Sequence, residues 1–222
     1  MSWHDTPIYI TNRNNLDRGL STLVQWLLDR GMTSITILDN GSTLVPLLTY
    51  YSGLEPASQV TVRYLNDNLG PYAFWSLGLH TQQKTRFIVT DPDVVPSDDC
   101  PHDLILKLHA LIDRHMAVKV GPSLRIDNLP DHYVHKQAVI AWEAQFWSTP
   151  VPDESAWHAQ IDTTFALYQP HSPAWPIGPY IRLDTPYSFE HVPWYEDSAR
   201  AQAERDFYLA NARLDWTHWS RQ

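Results

Sequence analysis

Apolar positions in the first half of the chain recur in two alternating rhythms, one of period two and one near 3.6. Ile8 to Ile10 reads as a short strand, after which Leu16, Leu20, Leu23, Val24, Leu27 and Leu28 return at helical spacing until Gly31 supplies a stop. Ile35 to Leu38 is the next strand, residues 43 to 51 a weak helix, and Val60 to Tyr64 a third strand. The segment from Pro71 to Leu79 predicts a helix with proline in its first turn, and Phe87 to Thr90 a fourth strand. From Pro101 to His115, Leu104, Leu108, Leu111 and Ile112 share a helical face, and Ala117 to Val120 forms a fifth strand. Alternation at such short intervals predicts an α/β fold with a mostly parallel sheet flanked by helices.

Beyond residue 120 the rhythm loosens. Gly121-Pro122-Ser123-Leu124 reads as loop, Tyr133 to Trp147 has helical length, and Ile161 to Tyr168 is a Thr- and aromatic-rich strand. Residues 169 to 197 read as Pro-punctuated loop, and Ser198 to Ala212 as a charged surface helix from a Ser or Asp cap. The tail Leu214 to Trp219 is either a short amphipathic piece or frayed. Many of the ten Trp and 17 Pro fall after residue 140. That shift suggests a regular first half that binds something common and a second region that chooses a partner, or aromatics that simply cover one side of the sheet.

At 222 residues the chain fills one domain with a full core rather than two. A net charge of -9 argues against a nucleic-acid partner, because neutralising a phosphate backbone needs a basic surface. No apolar run approaches the roughly 20 residues that span a bilayer, and the first residues lack a signal-peptide pattern, so a cytoplasmic protein with no transmembrane segment is expected. The single cysteine, Cys100, excludes an internal disulfide and a cysteine-based metal cluster, and is read as a bystander thiol.

Candidate chemistry lies just past the strands. An open parallel sheet binds its ligand beyond the carboxyl ends of its strands. Those ends carry Thr11-Asn12-Arg13-Asn14, Asp39-Asn40-Gly41-Ser42, Asn66-Asp67-Asn68-Leu69-Gly70 and Asp91-Pro92-Asp93, all mostly small and polar. In the last of these a buried apolar run delivers two carboxylates one residue apart. Two anions so close repel and lose hydration, and a divalent cation or an extra proton relieves the cost. A cation held by few protein ligands keeps positions for water and phosphate oxygens, which points to a diphosphate-bearing ligand.

With these residues assembled, the chain resembles the glycosyltransferase A fold and, within it, the family 2 type nucleotide-sugar glycosyltransferases. The matching segments are Ile10-Thr11-Asn12-Arg13, Leu38-Asp39-Asn40-Gly41-Ser42, Asn68-Leu69-Gly70 and Asp91-Pro92-Asp93, in that order. The resemblance covers roughly residues 7 to 120. It implies a single GT-A domain with a donor-binding part, 1–120, and an acceptor-side part, 121–222. It further implies transfer of a sugar from a nucleotide diphosphate sugar, UDP foremost, to a saccharide or other hydroxyl acceptor, with Mn2+ or Mg2+ and with inversion. Thr11, Asn12, Arg13 and Asp39 would grip the base, Asn68 and Gly70 would lie near the ribose, and Asp93 would bind the metal. Asp91 would stand near the ribose or the metal's water. The family's usual acidic motif for the base and its Gly-rich acceptor loop are not recognisable.

Glycosyl transfer needs a base for the acceptor proton. Glu143, on a helix among aromatics, and Asp162, opening the Ile161 strand, are the candidates. The fold often adds a histidine as a further metal ligand, and His191, in Phe189-Glu190-His191-Val192-Pro193-Trp194, is the first choice before His171 and His218. Trp175, Trp194 and Tyr195 could stack on sugar faces or bury themselves. Two rival readings stand beside this one: a haloacid dehalogenase-type phosphatase with Asp91 as nucleophile, and a non-catalytic nucleotide- or carbohydrate-binding module. The phosphatase signature normally closes the first strand, whereas here it closes the fourth.

Overall fold

A computed structural model describes residues 2–54, 59–65, 67–197, 199–200 and 202–212. Asn66, Ser198, the 214–219 tail and His218 lie outside the described residues. The strands are β1 (Ile8–Asn12), β2 (Ile35–Asp39), β3 (Val60–Tyr64), β4 (Phe87–Thr90), β5 (Val94–Pro96), β6 (Lys119–Leu124), β7 (Ala156–Trp157), β8 (Ala166–Tyr168) and β9 (Tyr180–His191). The helices are α1 (Leu20–Asp29), α2 (Val45–Leu54), α3 (Ala73–Ser76), α4 (Leu104–His115), α5 (Lys136–Glu143) and α6 (Ala203–Asn211). Among the described residues no helix is long and apolar enough to cross a membrane.

All nine strands join one sheet in the order β3-β2-β1-β4-β8-β6-β9-β5, with β7 paired to β9. The β3-β2-β1-β4 half is parallel throughout, and β6 also runs parallel to β9, so the sheet is mostly parallel along its paired length. β8 enters antiparallel between β4 and β6. Strand residues alternate between two cores, as a sheet covered on both faces requires. Ile8, Ile10, Ile37 and Ile88 pack with α1, α2 and α4, while Tyr9, Leu38, Phe87 and Val89 pack with Phe74 and Tyr168 on the other side.

The first four strands fall where the apolar pattern predicts. Helix boundaries shift: α1 begins at Leu20, and Leu16 sits in the loop before it, while Gly31 at φ 71 closes the helix as expected. The Pro71 helix shrinks to the single turn α3 plus a 3₁₀ turn at Leu79–Gln82, and α5 continues as a 3₁₀ turn over Ala144–Trp147.

Two expectations are overturned. Gly121 to Leu124 is not loop but the second half of β6, where a Cβ on Gly121 would come 2.3 Å from the Phe165 carbonyl oxygen. Nor is 169 to 197 all loop, because β9 occupies its centre. Pro186 reads as a strand breaker, yet the β6 pairing jumps from Leu183 to Ser188, so the proline lies in the unpaired excursion where no ladder donor is needed. The Ile161 strand is also shorter than expected, starting at Ala166 and leaving Asp162 in irregular chain just before a bend at 163–165.

Candidate active site

A cavity of about 480 Å³, the size of a small-ligand site, opens beyond the carboxyl ends of β1 to β4. Thr11, Asn12, Arg13, Asn68, Gly70, Asp91, Asp93, Glu143, Asp162 and His191 all line it. Residues up to 180 positions apart in the chain thus meet at one edge, as the open-sheet rule anticipates. Asp39 is the exception. It lies below the wall, 1% exposed, with its carboxylate accepting from the Ser42 amide at 3.0 Å and the Tyr51 hydroxyl at 3.4 Å.

Hydrogen bonds weld the first three loops together. Arg13 Nη1 donates to the carbonyls of Asn40 and Gly41 at 2.6 and 3.2 Å. The Asn40 side chain donates to the Gly70 carbonyl at 3.0 Å and accepts the Leu69 amide at 3.2 Å. Asn68 in turn accepts the Gly70 amide at 3.1 Å. Within this frame Thr11 Oγ1, Asn12 Oδ1 and Arg13 Nε are buried without a partner among the described residues. Buried polar atoms are rarely left so, and these three belong to residues that line the cavity.

The acidic loop is backed by Gly19, whose φ of 144 and bare Cα let the chain pass against Pro92 and Asp93. His191, at the end of β9, turns Nε2 toward Asp93 Oδ2 at 3.7 Å, and the Val192 amide holds the Asp93 carbonyl at 2.9 Å. Burial lowers the His191 pKa, an effect that Asp93 opposes. Asp91 accepts from Thr163 Oγ1 at 2.6 Å. Burial, then the charge of Asp93, pushes its pKa up to about 8. Among the described residues no three His, Cys, Asp or Glu side chains converge on one point. The pair of Asp93 and His191, with Asp91 beside it, nevertheless has the hard oxygen and imidazole donors that suit Mn2+, and too few of them to exclude phosphate oxygens and water.

The two candidate bases differ. Glu143 is buried, its Oε2 taking a hydrogen bond from Arg182 Nη1 at 2.7 Å, and burial raises its pKa against the lowering effect of Arg182. Asp162 is exposed to the cavity, with Oδ1 accepting the Thr163 amide at 2.8 Å. His171 does not line the cavity; its Nδ1 pairs with the Thr81 carbonyl at 2.9 Å. Trp175 lines the cavity 45% exposed, Trp194 also lines it but is only 2% exposed, and Tyr195 lies elsewhere, bonded to Asn128. Cys100 is free and buried, and burial pushes its thiol up to about 12.

Sequence reasoning missed several residues. Arg18 lines the cavity, paired to Glu196, with Tyr208 of α6 stacked 5.1 Å from its guanidinium. Glu204 of the same helix accepts the amides of Leu16, Asp17 and Arg18 at 2.8, 3.0 and 3.1 Å. Thr163 and Arg182 also escaped notice. Nothing in the local pattern marks these residues, because each acts through a long-range contact.

No protein-family model matches the sequence, and no curated protein does. Solved structures do match. S. aureus TarS 1-349 in complex with UDP-GlcNAc gives a TM-score of 0.53 at 13% identity, covering 92% of this chain and 64% of that one. GalNAc-T7 with UDP, GalNAc and Mn2+ gives 0.51 at 10% identity, covering 81% and 42%. The chain therefore spans under two thirds of either protein. At these identities the likeness establishes the fold, which is GT-A.

Proposed function

We propose that this chain is a nucleotide-sugar glycosyltransferase that moves a sugar from a nucleotide diphosphate sugar, UDP foremost, to an acceptor hydroxyl. One observation carries the reading: Asp91, Asp93 and His191 share a single cavity with Thr11, Asn12 and Arg13 at the ends of the parallel strands. The GT-A fold supports it, and so do the UDP-GlcNAc of TarS and the UDP and Mn2+ of GalNAc-T7.

Thr11, Asn12 and Arg13 bind the nucleoside, and Asn68 and Gly70 flank the ribose. Asp39 serves through the Ser42 turn rather than by touching the base, since its oxygens are already engaged. Asp93 and His191 would hold Mn2+ or Mg2+, and Asp91 would stand near the ribose or the metal's water. A bound ion would offset charge developing on the leaving diphosphate.

Asp162 is the base that takes the acceptor proton. It is open to the cavity, whereas Glu143 spends its charge on Arg182. Residues 1–120 serve the donor and 121–222 chiefly the acceptor, His191 being the donor-side exception, with inversion at the transferred carbon. A cytoplasmic setting would supply such a donor.

A thermal-shift panel of nucleotide sugars with and without Mn2+ tests the reading. A stabilising ligand that needs the metal is expected. If no nucleotide sugar raises the melting temperature in either condition, the reading falls.

A further inference from the structure

Lys119 is the one lysine the fold buries completely, 1% exposed in the middle of the sheet on β6, and the proposed chemistry does not use it. A buried ammonium is unfavourable unless its protons find acceptors. Among the described residues it makes no ion pair. Instead Nζ donates to the carbonyls of Ile161 and Asp162, at 2.7 and 2.9 Å. The rings of Tyr168, Trp175 and Tyr180 surround it at 4.6, 5.0 and 5.9 Å from their centroids.

Two features of this arrangement bear on the cavity. Successive carbonyls in an extended strand point opposite ways, so two neighbours can meet one ammonium only where the chain bends. The strand expected from Ile161 accordingly begins only past this segment, at Ala166. The segment also presents the Asp162 carboxylate to the cavity and brings Thr163 Oγ1 to 2.6 Å from Asp91 Oδ2. Trp175, which lines the same cavity, has its ring centroid 5.0 Å from the ammonium. Lys119 does not itself line the cavity.

We propose that Lys119 is a positioning residue: its ammonium, enclosed by Tyr168, Trp175 and Tyr180, ties down the 161–163 segment and so aims Asp162 and Thr163 into the cavity. This rests on the transferase reading, with Asp162 as base. Lys119 acts on turnover through Asp162 and touches neither substrate. Burial also pushes its pKa down to about 7, against the opposing pull of Asp162 and Asp91.

The test compares wild type with Lys119→Met and Lys119→Gln in the full chain. UDP binding with Mn2+ is measured by calorimetry, and UDP release is measured from the UDP-sugar giving the largest metal-dependent thermal shift, with water as acceptor. Methionine fills the space without a donor, whereas glutamine restores one. Lys119→Met is expected to lower kcat about tenfold or more, because small misplacement of a reacting group costs that much. KM and the UDP Kd should stay within about twofold, and Lys119→Gln should recover part of the loss. Unchanged kcat in folded Lys119→Met overturns the assignment, as does a parallel loss of UDP affinity. Should Lys119→Met not fold, Lys119→Leu, which also lacks a donor, carries the same criterion. If wild type neither binds UDP with Mn2+ nor releases it, the transferase reading fails first, and the role of Lys119 goes with it.

Discussion

Glu143 and Arg182 form an ion pair inside the protein, with each side chain 4% exposed and the guanidinium stacked 4.2 Å from the centre of the Phe146 ring. Arg182 also donates to the Gln160 carbonyl at 2.8 Å, one residue from the Ile161 that Lys119 holds. The acid best placed by its helix is therefore already committed, and the acid in the irregular segment is the open one.

This division makes two substitutions diverge. Glu143→Ala strands the Arg182 charge in the interior and should cost about 3 kcal/mol, lowering Tm by roughly 6–12 °C in a chain of this size. Asp162→Asn should leave stability within about 0.5 kcal/mol and reduce turnover by about 10² to 10⁴. Calorimetric melting beside UDP release from a sugar donor distinguishes them. The base assignment fails if Asp162→Asn keeps full turnover.

Asp93→Asn is expected to split stability from binding. Removing its charge relieves Asp91, whose pKa is raised first by burial and then by Asp93. Chelator-treated Asp93→Asn should therefore melt at or slightly above wild type. Its affinity for UDP in the presence of Mn2+ should nevertheless drop by about 10-fold or more, as loss of a metal ligand or its support does. Titration calorimetry with excess Mn2+ reads this directly, and equal affinities would remove Asp93 from the metal site.

Gly19 couples the first loop to the acidic one. A Cβ there would stand 2.4 Å from the Pro92 carbonyl oxygen and 2.8 Å from the Asp93 Cα, on a backbone at φ 144. Gly19→Ala should cost about 2 kcal/mol or more and weaken Mn2+-dependent nucleotide binding, because backbone cannot swing aside as a flexible side chain does. Denaturant unfolding and calorimetry on the same preparation check both parts.

Lys119 gives stability a distinctive pH dependence. Its pKa is about 7 when folded, well below the ordinary lysine value it regains on unfolding. Below pH 7 both states hold the proton and the burial penalty is fully present. Above it the unfolded chain binds a proton that the folded chain lacks, so stability contributed at this site rises with pH, by at most about 1.4 kcal/mol per unit. Comparing wild type with Lys119→Met by urea unfolding from pH 7 to 9.5 isolates the effect. Parallel stability profiles for the two proteins would contradict the shifted lysine.

The parallel half of the fold was legible because its information is local. Ile8 to Ile10, Ile35 to Leu38, Val60 to Tyr64 and Phe87 to Thr90 are apolar runs bounded by polar turns, and the position of a cavity follows from where such strands end. β9 was not legible, since its partners β5, β6 and β7 come from distant parts of the chain and Pro186 mimics a break. The site divides along the same line. Asp91, Asp93 and His191 announce themselves by residue type, while Arg18, Tyr208 and Thr163 are ordinary residues given meaning by contact alone. Lys119 did leave a trace, a lysine inside the apolar run Ala117-Val118-Lys119-Val120, which was read only as strand.

The carboxylate of Glu204 gathers three successive amides from a turn that lies 188 residues earlier at its first member. During synthesis, then, the turn carrying Arg18 emerges from the ribosome long before the group that satisfies it. Without Glu204 the three amide protons of that turn lose their carboxylate acceptor beside the cavity. The turn that carries Arg18 is thus closed by a late helix rather than by the sheet that frames the cavity.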